Sequence, residues 1–161
     1  MTRFIGAGLI AAIALASGAS AQTLPADPTG FAAAADVSAQ VAAMARAMTP
    51  GQGFAWQPLL SSGATVAELE IWRKPGRPAV HPDQAEYATV IAGEGTLVSG
   101  GTLEQPVTVK PDLIEGSRIV GGTTRSLAPG DVILIPAGVP HWFGITGDQL
   151  VLLGTKLAAK R

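Results

Sequence analysis

The order of apolar and polar residues along the chain predicts one helix followed by many short strands. Residues 32–48 are rich in alanine and carry larger apolar side chains at helical spacing, namely Val37, Val41, Met44 and Met48. Thr49, Pro50 and Gly51 follow, and residues of this kind end helices. We therefore predict one amphipathic helix over residues 32–48, with packing as its role.

The clearest strand pattern lies in residues 65–73. Ala67, Leu69 and Ile71 fall on one face, and Glu68, Glu70 and Trp72 fall on the other. Glycine and proline turn signals, including Gly93-Glu94-Gly95, separate further strand candidates at residues 87–92, 96–99, 107–110, 118–120, 132–135, 141–145 and 150–155. Many short strands spaced in this way predict an all-β antiparallel barrel or sandwich.

The first residues have the features of a signal peptide over residues 1–21. Arg3 supplies a positive charge, residues 4–16 are apolar, and Ala19-Ser20-Ala21 matches the small-residue pattern of a cleavage site. The other interpretation is a membrane anchor, but the apolar run is shorter than the roughly 20 residues that cross a bilayer. We predict cleavage between Ala21 and Gln22, a periplasmic or secreted protein, and no stable membrane insertion afterwards. A flexible lead-in and helix over residues 22–53 and one domain over residues 54–161 make up the rest.

Composition removes several function classes. The chain has 11 Lys and Arg against 12 Asp and Glu, a net charge of −1. This balance gives no electrostatic reason to bind nucleic acid. The absence of cysteine excludes thiolate metal sites and cysteine nucleophiles. Any metal or catalytic site must therefore be built from histidine, carboxylates and other polar groups.

Residues 130–141 carry the strongest local motif. Five residues separate Gly130 from Pro136, one separates Pro136 from Gly138, and two separate Gly138 from His141. One interpretation is an ordinary hairpin with a structural histidine. The full order, however, resembles the second motif of the cupin family, whose fold is a double-stranded β-helix, or jelly-roll, barrel. The resemblance, which covers roughly residues 65–155, implies that fold here, with one N-terminal helix added.

The first cupin motif is matched in part. Glu86 is followed by six residues and Gly93, and four residues separate His81 from Glu86. His81 matches the second histidine of the family's His-x-His pair, while Ala79 stands at the first position. The family's final asparagine is replaced by Ile145. The departure at Ala79 removes one of the four protein ligands that metal-binding cupins usually supply.

The resemblance implies that His81, Glu86 and His141 bind one divalent metal ion. Two imidazoles and one carboxylate leave coordination positions open and suit iron, manganese, nickel or zinc. The only two histidines of the chain both fall at motif positions. Because residues five apart on a regular strand point to opposite faces, the chain must bend between His81 and Glu86. The alternative is a metal-free pocket in which the three residues hydrogen-bond a ligand or each other. Asp83 is either a substitute ligand or a turn residue.

Residues near these positions have two interpretations each. Ala88 and Val90 would share the inward face of Glu86, and Phe143 that of His141. Glu68 and Glu70 are an acid and base pair if their face lines the barrel, and solvated charges if it does not. Arg73 and Arg77 flank the predicted entrance of the pocket. They either bind a substrate carboxylate or are charged surface residues that aid solubility. Alternation predicts that Tyr87 and Trp142 point away from the pocket.

Two functions remain open at this point. The first is an enzyme in which the metal and Glu86, as ligand or proton shuttle, act on a small polar metabolite by isomerase, lyase or oxygenase chemistry. The second is a binding module that captures a sugar or small acid without turnover. A catalyst should keep a second titratable group, such as Glu68 or Glu70, within reach of the pocket. A homodimer formed through barrel faces or edge strands is expected in either case.

Overall fold

The computed structural model describes residues 27–158, which form one helix and eleven strands. The helix, α1, spans Ala34–Ala47. The strands are β1 Phe54–Ser62, β2 Thr65–Trp72, β3 Ala79–Val80, β4 Gln84–Ser99, β5 Thr102–Glu104, β6 Val107–Lys110, β7 Leu113–Glu115, β8 Arg118–Val120, β9 Thr123–Leu127, β10 Val132–Ile135 and β11 His141–Ala158. The predicted signal peptide, residues 1–21, lies outside the described residues.

Helix α1 occupies nearly the range predicted from the sequence, and it packs on its own barrel. It begins after Ala33, whose backbone N–H donates to the Asp36 carboxylate at 3.3 Å, and it ends before Thr49 and Pro50. Its apolar face covers one side of the sheet in a cluster made of Met44, Met48, Leu69, Ile71 and Val151. The Arg73 guanidinium fixes the last turn by donating to the Ala45 carbonyl at 3.0 Å.

The sheet is antiparallel at every pairing found in the described range. Its main path runs β1-β2-β11-β3-β7-β6, and β4 pairs with β11, β9 and β10. Strands β5 and β8 form a separate two-stranded ribbon. Because β4 and β11 are long and pair along most of their length, they join the two halves of the barrel.

The turn predicted at Gly93-Glu94-Gly95 is wrong. Strand β4 continues through these residues, and β11 likewise continues through the gap predicted after Ile145. The pairing shifts where Ile145 faces Gly95 and Leu150 faces Gly93, so residues 146–149 form a bulge. Gly93 allows the local bend because its φ of 76° is open to glycine. Here the glycines mark a bend within a strand.

Several strands carry no clear sequence signal. Strand β1 contains Pro58 and is mostly exposed, which suits its position at the sheet edge. Strand β9 is Thr-Thr-Arg-Ser-Leu, in which only Leu127 is buried. The short strands β3, β5 and β7 were also absent from the predicted set. None of these segments has the apolar alternation on which the strand predictions depended.

The two faces of the sheet form two cores. The inner one fills the barrel with Ala88, Val90, Leu97, Leu127, Ile133, Ile135, Phe143, Leu150 and Leu152. The outer one lies beneath α1 and takes Leu69 and Ile71 from β2. The opposite face of β2, with Glu68, Glu70 and Trp72, therefore faces the barrel interior. Among the described residues, no helix has the length and apolar character needed to cross a membrane.

Candidate metal centre

His141 is positioned by the second motif. After β10, the chain reverses through Pro136 and Gly138, whose φ is 78°, and β11 begins at His141. The Gly138 backbone N–H donates to the His81 carbonyl at 2.8 Å. Pairing of β10 with β4 sets Ile135 opposite Glu86. One reversal therefore brings together the segments that carry all three predicted ligands.

The chain bends between His81 and Glu86, as the predicted site requires. His81 precedes β4, residues 82 and 83 form a bend, and Glu86 lies in β4. The His81 Nε2 atom lies 3.5 Å from Glu86 Oε2, and the His141 Nε2 atom lies 3.6 Å from the same oxygen. All three side chains are buried, and their ligand atoms lie within 4.8 Å of one another. This group, which does not include Asp83, could hold a metal ion.

Backbone carbonyls orient both imidazole rings. The Nδ1 atom of His81 lies 2.8 Å from the Asp112 carbonyl, and Nδ1 of His141 lies 2.9 Å from the Val139 carbonyl. Because a carbonyl can only accept, each neutral ring carries its proton on Nδ1. Two Nε2 lone pairs then converge on a carboxylate oxygen, an arrangement that a bound cation would stabilise. Metal-binding histidines are commonly oriented in this way.

The pKa values favour the protonation states that a metal requires. Burial lowers the pKa of His81, so its ring stays neutral near neutral pH. Burial alone would raise the pKa of Glu86, but His141, Lys156 and His81 outweigh it and lower the value to about 2. A neutral imidazole and an ionised carboxylate are the forms that bind metal.

Lys156 is a member of the site that the sequence analysis missed. It pairs with Glu86 across β11 and β4, and its Nζ atom lies 3.5 Å from Glu86 Oε2 and 3.8 Å from Glu68 Oε1. Burial opposes its charge, but Glu86, Glu70 and Glu68 raise the pKa of Lys156 above its ordinary value. In a strand, every second side chain points to the same face, so Lys156 shares the inward face of Leu150 and Leu152. The sequence analysis missed it because the predicted strand ended at residue 155.

Glu70 adds a second titratable carboxyl group. Its Oε2 atom accepts a hydrogen bond from Trp72 Nε1 at 2.8 Å. Burial, together with the charge of Glu86, raises the pKa of Glu70 to about 7. Glu68 and Glu70 both line the cavity of the site, so the polar face of β2 is not solvated surface.

The cavity around these residues has a volume of about 610 Å³. All three tryptophans of the chain border it, as do Phe54 and Phe143. Trp142 borders this cavity, where its Nε1 donates to the Gly76 carbonyl at 2.9 Å, and it also borders a second cavity with Val98 and Ile119. Tyr87 lies outside the cavity lining and is 39% exposed.

The predicted entrance residues divide between two roles. Arg77 borders the cavity and pairs with Glu115 at 3.5 Å, whereas Arg73 is used by the helix contact described above. Ala79 borders the cavity directly opposite His141 across β3 and β11. Its small side chain leaves the position of the family's first histidine without a ligand atom.

These features agree with comparisons to known proteins. The cupin family matches residues 58–159, and the chain belongs to that family. A search of curated proteins gave no significant match.

Solved structures show the same fold at low sequence identity. TT1209 from Thermus thermophilus has a TM-score of 0.52 and 17% identity over 74% of this chain and 95% of that chain. Hydroquinone 1,2-dioxygenase PnpCD, solved with Cd²⁺ and 4-hydroxybenzonitrile, has a TM-score of 0.53 and 18% identity over 68% of each chain. A cupin-2 domain from Rhodospirillum rubrum has a TM-score of 0.48 and 18% identity over 70% of this chain and 64% of that one. At these identities the likeness concerns the fold alone.

Proposed function

We propose that this chain is an exported cupin enzyme that binds one divalent metal ion through His81, Glu86 and His141 and acts on a small polar metabolite. The observation that carries the proposal is the convergence of two imidazole Nε2 atoms on one carboxylate, with both Nδ1 atoms held by backbone carbonyls. Iron, manganese, nickel and zinc all suit this donor set. Isomerase, lyase and oxygenase chemistry are each compatible with it.

The metal ion and the residues around His81, Glu86 and His141 would have different roles in catalysis. A bound divalent ion would supply a Lewis acid for a carbonyl or carboxylate oxygen. Lys156 holds Glu86 ionised and in place. Glu70, with its pKa raised to about 7, can give or take a proton at neutral pH without being a ligand. A binding module has no need of such a group, so Glu70 supports an enzyme.

A non-catalytic binding module is the second candidate, and one observation favours it. The Lys156 ammonium lies 3.5 Å from the same Glu86 oxygen that both histidines approach. It supplies positive charge that would otherwise come from a metal, and Ala79 offers no further ligand. A barrel of this kind would capture a sugar or small acid and release it unchanged.

Elemental analysis of protein purified without chelator or affinity-tag metal tests the metal site on which the enzyme proposal depends. We expect about one equivalent of a divalent transition metal in the wild-type protein, and its loss in His81→Ala and His141→Ala. Glu115→Gln, which changes a carboxylate of the same cavity outside the triad, should keep its metal. Folded protein that takes up no stoichiometric metal, even after reconstitution, would contradict the metal site and leave the binding module.

The same samples test export. The basic, apolar and small-residue pattern of residues 1–21 supports it. When the full-length chain is produced in a host with a secretory pathway, its intact mass should correspond to a chain that begins at Gln22. A mass that retains residues 1–21 in exported protein, or protein found only in the cytoplasm, would contradict the proposal.

A further inference from the structure

One wall of the cavity is aromatic and is built by strands β1 and β2. Their register sets Phe54 opposite Trp72 and Trp56 opposite Glu70, and residues directly opposite each other share a face. The Phe54 and Trp72 ring centroids are 4.2 Å apart, with the rings tilted by 42°. Trp56 is 55% exposed although it borders the cavity. A large aromatic surface is therefore open to a ligand.

Two of the indole rings on this side offer apolar surface, because their N–H groups are already used. Trp72 donates to Glu70, and Trp142 donates to the Gly76 carbonyl. Gly76 also lies against Trp72, since a Cβ atom at this position would come within 2.8 Å of Trp72 Cζ3. The two indoles thus adjoin one backbone segment at the edge of the cavity.

The remaining cavity surface carries many charged side chains beside the apolar Ala79, Leu113 and Phe143. Arg77 pairs with Glu115, Lys110 borders the mouth, and Lys156 lies beside the metal ligands. A ligand that fills the cavity must therefore present an apolar ring to one wall and oxygen atoms to the other. A sugar can also stack its C–H face on an aromatic ring, so a sugar acid is included in the test below.

We infer that the ligand is a small acid with an aromatic ring next to a pair of oxygen donors. The ring packs on Phe54, Trp56 and Trp72, and the oxygens reach the centre formed by His81, Glu86 and His141. The inference deepens the proposed function and rests on it. Only 5% of residues are aromatic, yet Phe54, Trp56 and Trp72 share one wall of this cavity, which argues for a ring-binding surface. The cavity volume of about 610 Å³ lies within the range of small-molecule sites.

Four α-hydroxy acids with the same chelating group test this inference. Mandelate carries a phenyl ring, cyclohexylglycolate a saturated ring, lactate a methyl group and gluconate a polyol chain. Calorimetric titration of the zinc-loaded protein should give a Kd for mandelate at least about tenfold lower than for each of the other three. Metal content is measured on the same samples, so that failure to load zinc is recognised separately.

Substitutions identify the surface responsible. Trp56→Ala should make the Kd values for mandelate and lactate nearly equal while the protein still binds zinc. Phe54→Ala, as a second test, should reduce the difference between these two Kd values. Phe31→Ala is the control: it removes an 81% exposed aromatic ring outside the cavity lining and should leave the difference between the mandelate and lactate Kd values unchanged.

Each remaining outcome overturns the inference. Equal affinities for mandelate and lactate would contradict the inference but not the metal site. The same holds if zinc-loaded protein binds none of these acids. Equal affinities for the phenyl and cyclohexyl acids would show that aromaticity is not recognised. A preference for gluconate would indicate a sugar-acid site. Protein that takes up none of zinc, iron, manganese and nickel would refute the proposed function and this inference together.

Discussion

Among single residues, Lys156 and Glu70 govern the charge around the three candidate ligands. Lys156 contacts Glu86 and Glu68, whereas Glu70 is partly buried and hydrogen-bonded to Trp72. The first stabilises an ionised carboxylate, and the second is a carboxyl group that burial keeps protonated until near neutral pH. The site therefore contains carboxyl groups whose pKa values differ widely, which is typical of acid and base chemistry.

This contrast predicts how stability depends on pH in metal-free protein. Because the pKa of Glu70 is raised to about 7 from 4.5, its ionisation favours the unfolded chain as pH rises between these values. Glu70→Gln removes that effect. Urea unfolding of chelator-treated protein should show the variant about 2 kcal/mol more stable than the wild type at pH 8, with the difference shrinking towards pH 4.5.

Glu115→Gln is the control for this comparison, because its side chain lines the same cavity and is 30% exposed. Its stability should follow that of the wild type across the pH range. A Glu70→Gln difference that stays constant with pH would contradict the burial of a protonated Glu70.

The sequence could predict His81, Glu86 and His141 as neighbours because spacing within two motifs carries that information. It could not place Lys156, Glu70 or the aromatic wall. Whether the strand face with Glu68 and Glu70 meets solvent or a cavity depends on how the barrel closes. The apolar and polar alternation of one strand carries no information about that closure. Trp56 lies in β1, where no strand was predicted.

At the scale of elements, the bend in β4 positions the strand that carries Glu86. Gly93 has a φ of 76°, and a Cβ atom there would overlap the Gln149 carbonyl oxygen. Gly93→Ala should therefore lower the free energy of unfolding by about 1–3 kcal/mol or more, measured by urea denaturation.

Gly147→Ala is the matched control on the facing bulge. A Cβ atom there has its nearest neighbour at 4.0 Å, so stability should change little. If Gly93→Ala were as stable as the wild type, the bend would not depend on glycine. The sequence marked the right residues here but suggested a turn, because glycine signals a turn and a strand bend alike.

At the scale of the whole molecule, closure of the barrel gathers residues that are distant along the chain. Glu70 comes from β2, Glu86 from β4, and His141 and Lys156 from the two ends of β11. Family motifs and short-strand patterning were enough to predict this fold and its N-terminal helix. The expected homodimer and the export of the chain stay predictions, since neither follows from the arrangement of residues 27–158.

X-ray absorption of zinc-loaded protein tests the proposed metal centre, because it counts the imidazole ligands of the metal. We expect two imidazole rings at about 2.0–2.1 Å in the wild type. We expect three rings in Ala79→His, since residue 79 lies opposite His141, and no bound zinc in His141→Ala. A coordination shell of oxygen atoms alone, or a spectrum that both substitutions leave unchanged, would contradict a metal centre at His81, Glu86 and His141.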